Sequence, residues 1–158
     1  MTTEIGNIGE QLVSQWLQSR SYCILHHSWR CRYGEIDVIA RHKNSSTLIF
    51  VEVKTRSTSN WDNDGKDAIS SIKQQKVSRS AGLFLAQNTQ YTDCYMRFDV
   101  ALVKYKQHRD RQLEISFKEP LLNVSNECLS SNSSIIITKG FQFTIVDYIE
   151  NAFDTIEM

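Results

Sequence analysis

Proline is nearly absent from this chain, with one residue in 158, and there are only six glycines. So little proline excludes a polyproline protein or a string of linkers. No purely apolar run is longer than about five residues; Leu48-Ile49-Phe50-Val51 is typical. A membrane-spanning helix needs about 18 or more, so no membrane partner is expected. The first ten residues, MTTEIGNIGE, have neither the basic nor the apolar stretch of a secretory signal. Cysteines stand at 23, 31, 94 and 128, with no Cys-x-x-Cys and no histidine pair at zinc spacing. Free thiols in a reducing cytoplasm are therefore expected, without zinc. Net charge is lacking too, since 18 Lys and Arg balance 18 Asp and Glu. The balance hides an asymmetry. Residues 1–118 carry 17 basic against 12 acidic side chains, and residues 119–158 carry 1 against 6. The first segment suits a polyanion and the tail does not, although an excess of this size is also found on ordinary surfaces.

What is present is globular: 41% hydrophobic and 23% charged residues, enough for one domain with a core. Residues 4–20 are expected to be a helix. Ile5, Ile8, Leu12, Val13, Trp16 and Leu17 form one apolar stripe, Thr2 or Thr3 would cap it, and Gly6 and Gly9 would permit close approach of a neighbour. Strands are expected over Ser21–Trp29, Glu35–Arg41 and Thr47–Arg56, in an antiparallel meander turning at Arg30–Gly34 and His42–Ser46. A polar loop (57–66), a helix from about Asp67 to Ala86, a strand at Tyr95–Tyr105 and a weaker one at Gln112–Phe117 follow. Residues 119–134 read as a mobile polar insertion. Ile135–Ile137 and Phe141–Val146 suggest a hairpin, and Tyr148, Ile149, Ala152, Phe153 and Ile156 have helical spacing. The expectation is an α/β fold, a mixed sheet flanked by helices. It has a core domain over 1–118 and an acidic extension over 119–158, whose hairpin and helix pack on the core.

Side chains alternate along a strand, so Leu48, Phe50, Glu52, Lys54 and Arg56 share one face, which turns from apolar to charged halfway along. Ile49, Val51 and Val53 keep the other face apolar. Asp37 stands between Ile36 and Val38 in the preceding strand, and pairing across the short turn would bring it beside Glu52. Charges in such places are costly unless they pair or bind a metal. Two carboxylates in one cleft with a lysine one strand step away suit phosphodiester hydrolysis assisted by Mg²⁺, with Mn²⁺ as a substitute. Glu-x-Lys alone is as compatible with an exposed salt bridge.

Other residues join this constellation. Glu10 lies at the rim of the helical stripe beside Leu17 and would hold a water for the metal, unless it is simply a solvated glutamate. Glu35 would orient Lys54 or Arg30, or make a salt bridge at the turn. Lys73 and Lys76 fall among Ile69, Val77 and Phe84 on the inner face of the second helix, where they would hold phosphates or snorkel outward. Arg30, Arg32 and Arg56 are rim candidates for backbone contacts. Trp61 would stack on an unpaired base or pack on its own domain. Arg97 and Asp99 read as a structural ion pair.

Gly34-Glu35-Ile36-Asp37, together with Phe50-Val51-Glu52-Val53-Lys54-Thr55-Arg56, resembles the YraN-like uncharacterised protein family. Gly6-x-x-Gly9-Glu10, Lys73-Gln74, Ala81, Arg97-Phe98-Asp99-Val100 and Asn151-Ala152-Phe153 match as well. The resemblance covers residues 6 to about 105 and resumes near 145–153, leaving 106–144 as an extension atypical of the family. That family is similar to the PD-(D/E)xK restriction-endonuclease-like superfamily, close to archaeal Holliday junction resolvases. The resemblance implies an αβββαβ core, Mg²⁺ and a nucleic-acid substrate. It carries the catalytic set over as Asp37, Glu52 and Lys54, with Glu10 as the helix acid and Asp37, Glu52 and Glu10 as metal ligands. The expected function is a Mg²⁺-dependent endonuclease acting on DNA, with branched or junction DNA and a homodimer in view. The alternatives are a nucleic-acid-binding protein of the same fold with little or no turnover, and an interaction domain docking through its acidic tail.

Overall fold

The computed structural model describes residues 2–60, 69–108 and 134–155. Trp61, the Gln112–Phe117 strand, Cys128, Ile156 and nearly all of the 119–134 insertion lie outside the described residues. Helix α1 (Thr2–Ser19) leads into strands β1 (Tyr22–Cys31), β2 (Gly34–His42) and β3 (Thr47–Ser57). Helix α2 (Ser71–Gln87) then leads to β4 (Tyr95–Gln107), followed by β5 (Ile135–Thr138) and β6 (Phe141–Phe153). The expected αβββαβ order is present, and two further strands widen the sheet. Six strands lie in the order β1-β2-β3-β4-β6-β5. β1, β2 and β3 form the antiparallel meander. β3 and β4 are parallel, because α2 carries the chain back to the starting edge between them.

The sheet divides the core in two. On one side Ile8, Leu12, Val13 and Leu17 of α1 cover Val38, Ala40, Ile49, Val51, Ala101 and Val103. On the other, Val77, Ala81 and Phe84 of α2 cover Ile36, Ile39, Leu48, Phe50 and Phe98. β3 serves both cores, which is why its sequence is apolar on both faces. The α2 side is held by rings: Phe84 lies edge-on to Trp29 at 5.4 Å, and Phe98 stacks between Phe50 at 5.6 Å and Phe153 at 4.9 Å. Each fully buried ring of this kind contributes about 1.5–3 kcal/mol.

Three local expectations need correction. α1 already includes Thr2 and Thr3, so neither precedes it as a cap. α2 starts at Ser71, not near Asp67, because Ser70 is extended and its side chain accepts the Lys73 N–H, which ends the loop and begins the helix. Of the two helix glycines only Gly9 is crowded: a Cβ there would run into the Thr55 hydroxyl, whereas Gly6 has nothing within 4 Å. The α1–β3 approach therefore depends on Gly9.

The C-terminal helix expected at Tyr148–Ile156 is instead a strand. β6 continues to Phe153 against β4, and its pairing slips twice, between Leu102 and Val103 and between Phe98 and Val100. Between Phe98 and Val100 the partner chain advances from Phe153 to Ile149, with Asn151 at φ 50. The extra residues of these bulges break the two-residue alternation and give the apolar positions a spacing that imitates a helix. Asp99, fully buried, clamps the distortion. It accepts both Arg97 Nε and Nη2 at 2.9 Å, the Tyr148 hydroxyl at 2.6 Å and the Asn151 N–H at 3.0 Å. The Arg97–Asp99 pair is thus structural, as its sequence context suggests. At the other end of β6, Lys139 and Gly140, at φ 50 and 77, make the two-residue turn of the expected β5–β6 hairpin.

Candidate active site

The site forms where β2 and β3 part. Their pairing runs from Arg41/Leu48 to Val38/Val51 and stops. A regular continuation would set Asp37 opposite Glu52 and Ile36 opposite Val53. Instead the Asp37 side chain turns in and its Oδ2 accepts the Val53 N–H at 2.7 Å. Alternation fails on β2 at the same place: Ile36 packs on the α2 side and Val38, two residues on, packs on the α1 side. The twist opens the sheet and brings acids from different elements within reach of one another.

Glu52 is the buried member, 5% exposed. Its Oε1 faces Lys54 Nζ at 3.3 Å and Lys73 Nζ at 3.5 Å, while its Oε2 is buried with no hydrogen-bond partner. Burial first, then the Glu52 charge, push the Asp37 carboxyl up to about 8; the Val53 N–H and Lys73 pull the other way, and Glu10 adds to the rise. Glu10 reaches the cluster from α1. Its Oε2 accepts the Ser28 hydroxyl at 2.9 Å, and Ser28 itself sits at φ 47 in β1. Burial raises the Glu10 carboxyl above its ordinary range, with Glu35 and Glu52 adding to this and Ser28 and Arg30 opposing it.

Asp37, Glu52, Lys54, Glu10 and Lys73 are therefore brought together. Lys76 is not: it is exposed, and its Cβ lies beside Gly34 at the β1–β2 turn. One helical turn from Lys73, a small change in azimuth is enough to move a side chain from the cleft to the flank. Arg30 pairs with Glu35 at 3.2 Å, the turn-side salt bridge. Arg32 lies over the Tyr33 ring, and Arg56 is exposed with its guanidinium on the Thr55 carbonyl. Among the described residues no group of three or more His, Cys, Asp or Glu is arranged to hold a metal. Glu10 also accepts the Ser28 hydroxyl through its Oε2. Ser28 was invisible in the sequence, since nothing local marks a strand serine as the partner of a helix glutamate 18 residues earlier. The Ser70 cap, whose side chain accepts the Lys73 N–H, was missed as well, since the helix was expected from about Asp67.

A model of uncharacterised protein family UPF0102 matches residues 9–103. The chain belongs to the UPF0102, or YraN-like, family. A UPF0102 protein of Trichormus variabilis is 41% identical over 153 residues, covering 95% of this chain and 94% of the relative. One from Acaryochloris marina is 40% identical over 157 residues, covering 95% and 90%. A third, from Nostoc, is 50% identical over 105 residues, covering 65% and 75%. Matches over 95% of the chain must run through most of residues 106–144, so that segment is shared with other UPF0102 proteins and is not peculiar to this chain. The mixed sheet between two helices is the restriction-endonuclease-like arrangement that the family resemblance implied. No helix among the described residues is long and apolar enough to cross a membrane.

Proposed function

We propose that this UPF0102 protein is a Mg²⁺-dependent endonuclease hydrolysing phosphodiester bonds in DNA, with branched or junction DNA as its substrate class. The observation that carries the reading is the Glu52 carboxylate, with one oxygen shared by two lysines and the other buried without a partner. A buried acceptor with nothing to accept costs about 1–3 kcal/mol or more, and a hard cation would remove that cost. The residues fit such an ion. Asp37 and Glu52 would hold Mg²⁺ or Mn²⁺, with Glu10 behind them. Two protein carboxylates are enough for an ion that usually keeps several waters and takes phosphate oxygens as ligands. Bound there, the ion would supply Lewis-acid polarisation of the phosphate and acidify a water.

The chain's own groups do the rest. Lys54 and Lys73 stand where charge gathers on the phosphoryl oxygens. Glu10, held above its ordinary range, is suited to accept a hydrogen bond from the attacking water. Cutting two strands at a branch with one cleft per chain calls for two copies, so the substrate class and a homodimer go together. The free thiols of Cys23, Cys31 and Cys94 suit the cytoplasm as its location.

A nucleic-acid-binding protein of the same fold with little turnover is the second reading. It is favoured by one feature, the double lysine clamp on Glu52 Oε1, which competes with a cation for that carboxylate. Incubation with duplex, single-stranded, flap and four-way DNA in Mg²⁺ or Mn²⁺ separates the two. The nuclease reading expects cleavage that EDTA abolishes and that Glu52→Gln lacks. Cutting by Glu52→Gln at the wild-type rate overturns it. Tight binding with no cleavage under either metal supports the second reading.

A further inference from the structure

A groove of about 390 Å³ is lined by Trp29, Arg30, Cys31, Arg32, Leu83 and Gln87. Its volume falls in the range of about 300–1,000 Å³ typical of small-ligand sites. One wall is apolar and set in place: Trp29 is half-buried and held against Phe84, and Leu83 is half-buried next to that ring in sequence. Its lining is also cationic, from Arg30 and Arg32. Arg32 is exposed, its guanidinium 4.9 Å from the Tyr33 ring centre and its Nη2 donating to the Tyr33 hydroxyl at 2.8 Å. Among the described residues Arg32 has no carboxylate partner, unlike Arg30. Gln87, exposed at the end of α2, adds an amide that both donates and accepts.

Arg30 joins this groove to the acids. It lines the groove, pairs with Glu35 and lowers the pKa of Glu10. Arg30 is thus the one lining residue that also bears on the acid cluster, through Glu35 and Glu10.

We propose, resting on the nuclease reading above, that this groove receives one unpaired nucleotide of the bound strand. The base lies against Trp29 and Leu83, its edge meets the Gln87 amide, and its phosphate sits on Arg32. An indole wall offers stacking that any base can use, and a guanidinium offers a fork that fits phosphate. A base held within a Watson–Crick duplex cannot enter such a groove without leaving its stack. The substrate class is thereby narrowed to strands unpaired beside the phosphate: overhangs, flaps and branch points in preference to blunt duplex.

The test measures fluorescence anisotropy in EDTA, where nothing is cut. The ligands are a blunt duplex, the same duplex with a single-stranded overhang, and single strands of DNA and of RNA. Wild type should bind the overhang and single strands more tightly than the blunt duplex. Arg32→Ala and Gln87→Ala, both exposed and checked by thermal melting, should weaken the overhang and single strands about tenfold, the scale of one stacked and anchored base. The blunt duplex should change by less than about twofold, since that ligand places no base in the groove. Trp29→Phe should remove most of the tryptophan quenching caused by a single strand. Equal losses on blunt and unpaired ligands, or no loss on either, overturn the proposal. A tighter response to DNA or to RNA names the strand and supports the groove in either case. Absence of cleavage in Mg²⁺ with this binding pattern intact overturns the nuclease reading and leaves the groove standing.

Discussion

Asp37 on β2 accepts the backbone N–H of Val53 on β3 at 2.7 Å, one residue beyond Glu52. A side chain thus takes the place of a ladder rung at the point where the two strands separate. The contact anchors Asp37 beside Glu52 and keeps the Val53 N–H satisfied while the sheet opens. The cleft is a consequence of that substitution of side chain for backbone.

Glu52→Gln should leave the protein folded and remove metal-dependent cleavage, because it deletes the charge at the orphaned oxygen without changing shape. Lys54→Ala should slow cleavage by about 10²–10³-fold, the usual effect of removing one group that stabilises developing charge. It should spare Mg²⁺ binding. Single-turnover cleavage with a Mg²⁺ titration reads both; equal rates for Lys54→Ala and wild type would remove that lysine from the reaction.

Asp37 should make stability fall as pH rises. Its carboxyl titrates near 3.8 ordinarily and at about 8 in the folded chain. Below about 4 both states hold the proton and the group contributes nothing. Between about 4 and 8 the unfolded chain releases a proton that the fold retains, so stability is lost through this window and levels off above it. In EDTA, the melting temperature of Asp37→Asn relative to wild type should therefore climb from pH 4 to pH 8. A pH-independent difference would mean that Asp37 is not so perturbed.

Asp99 is fully buried and takes four hydrogen bonds from Arg97, Tyr148 and Asn151. Asp99→Ala should destabilise the protein by about 3–5 kcal/mol, the cost of leaving the Arg97 guanidinium without its buried partner. Tyr148→Phe should cost about 1–3 kcal/mol for the hydroxyl alone. Urea unfolding measures both. A loss below about 1 kcal/mol for Asp99→Ala would show that the β6 bulges hold without the clamp.

Lys73 and Lys76 should part company in a salt titration of duplex affinity. Each phosphate contact contributes about 0.9 to the slope of log K against log salt. Lys73→Ala should flatten the slope by one such contact. Lys76→Ala, exposed on the flank, should do so only if the duplex reaches the β1–β2 turn. Identical slopes for wild type and Lys73→Ala would take Lys73 out of the nucleic-acid contact.

Alternation in β3 alone put Leu48, Phe50, Glu52 and Lys54 on one face, because a strand's pleat depends on no partner. The spacing of Ile8, Leu12, Val13 and Leu17 did the same for α1. These are short-range geometries written within one or two turns of chain. What the sequence left open was set between residues far apart. Whether Tyr148 to Phe153 coil or extend was decided by Asp99, about fifty residues earlier, whose buried carboxylate needs the Tyr148 hydroxyl and the Asn151 N–H. That Glu10 meets Ser28, that Lys73 and not Lys76 reaches Glu52, and that Gly9 and not Gly6 is indispensable all follow from how α1 and α2 are seated on the sheet. Seating is fixed by close packing across elements, which no local pattern encodes.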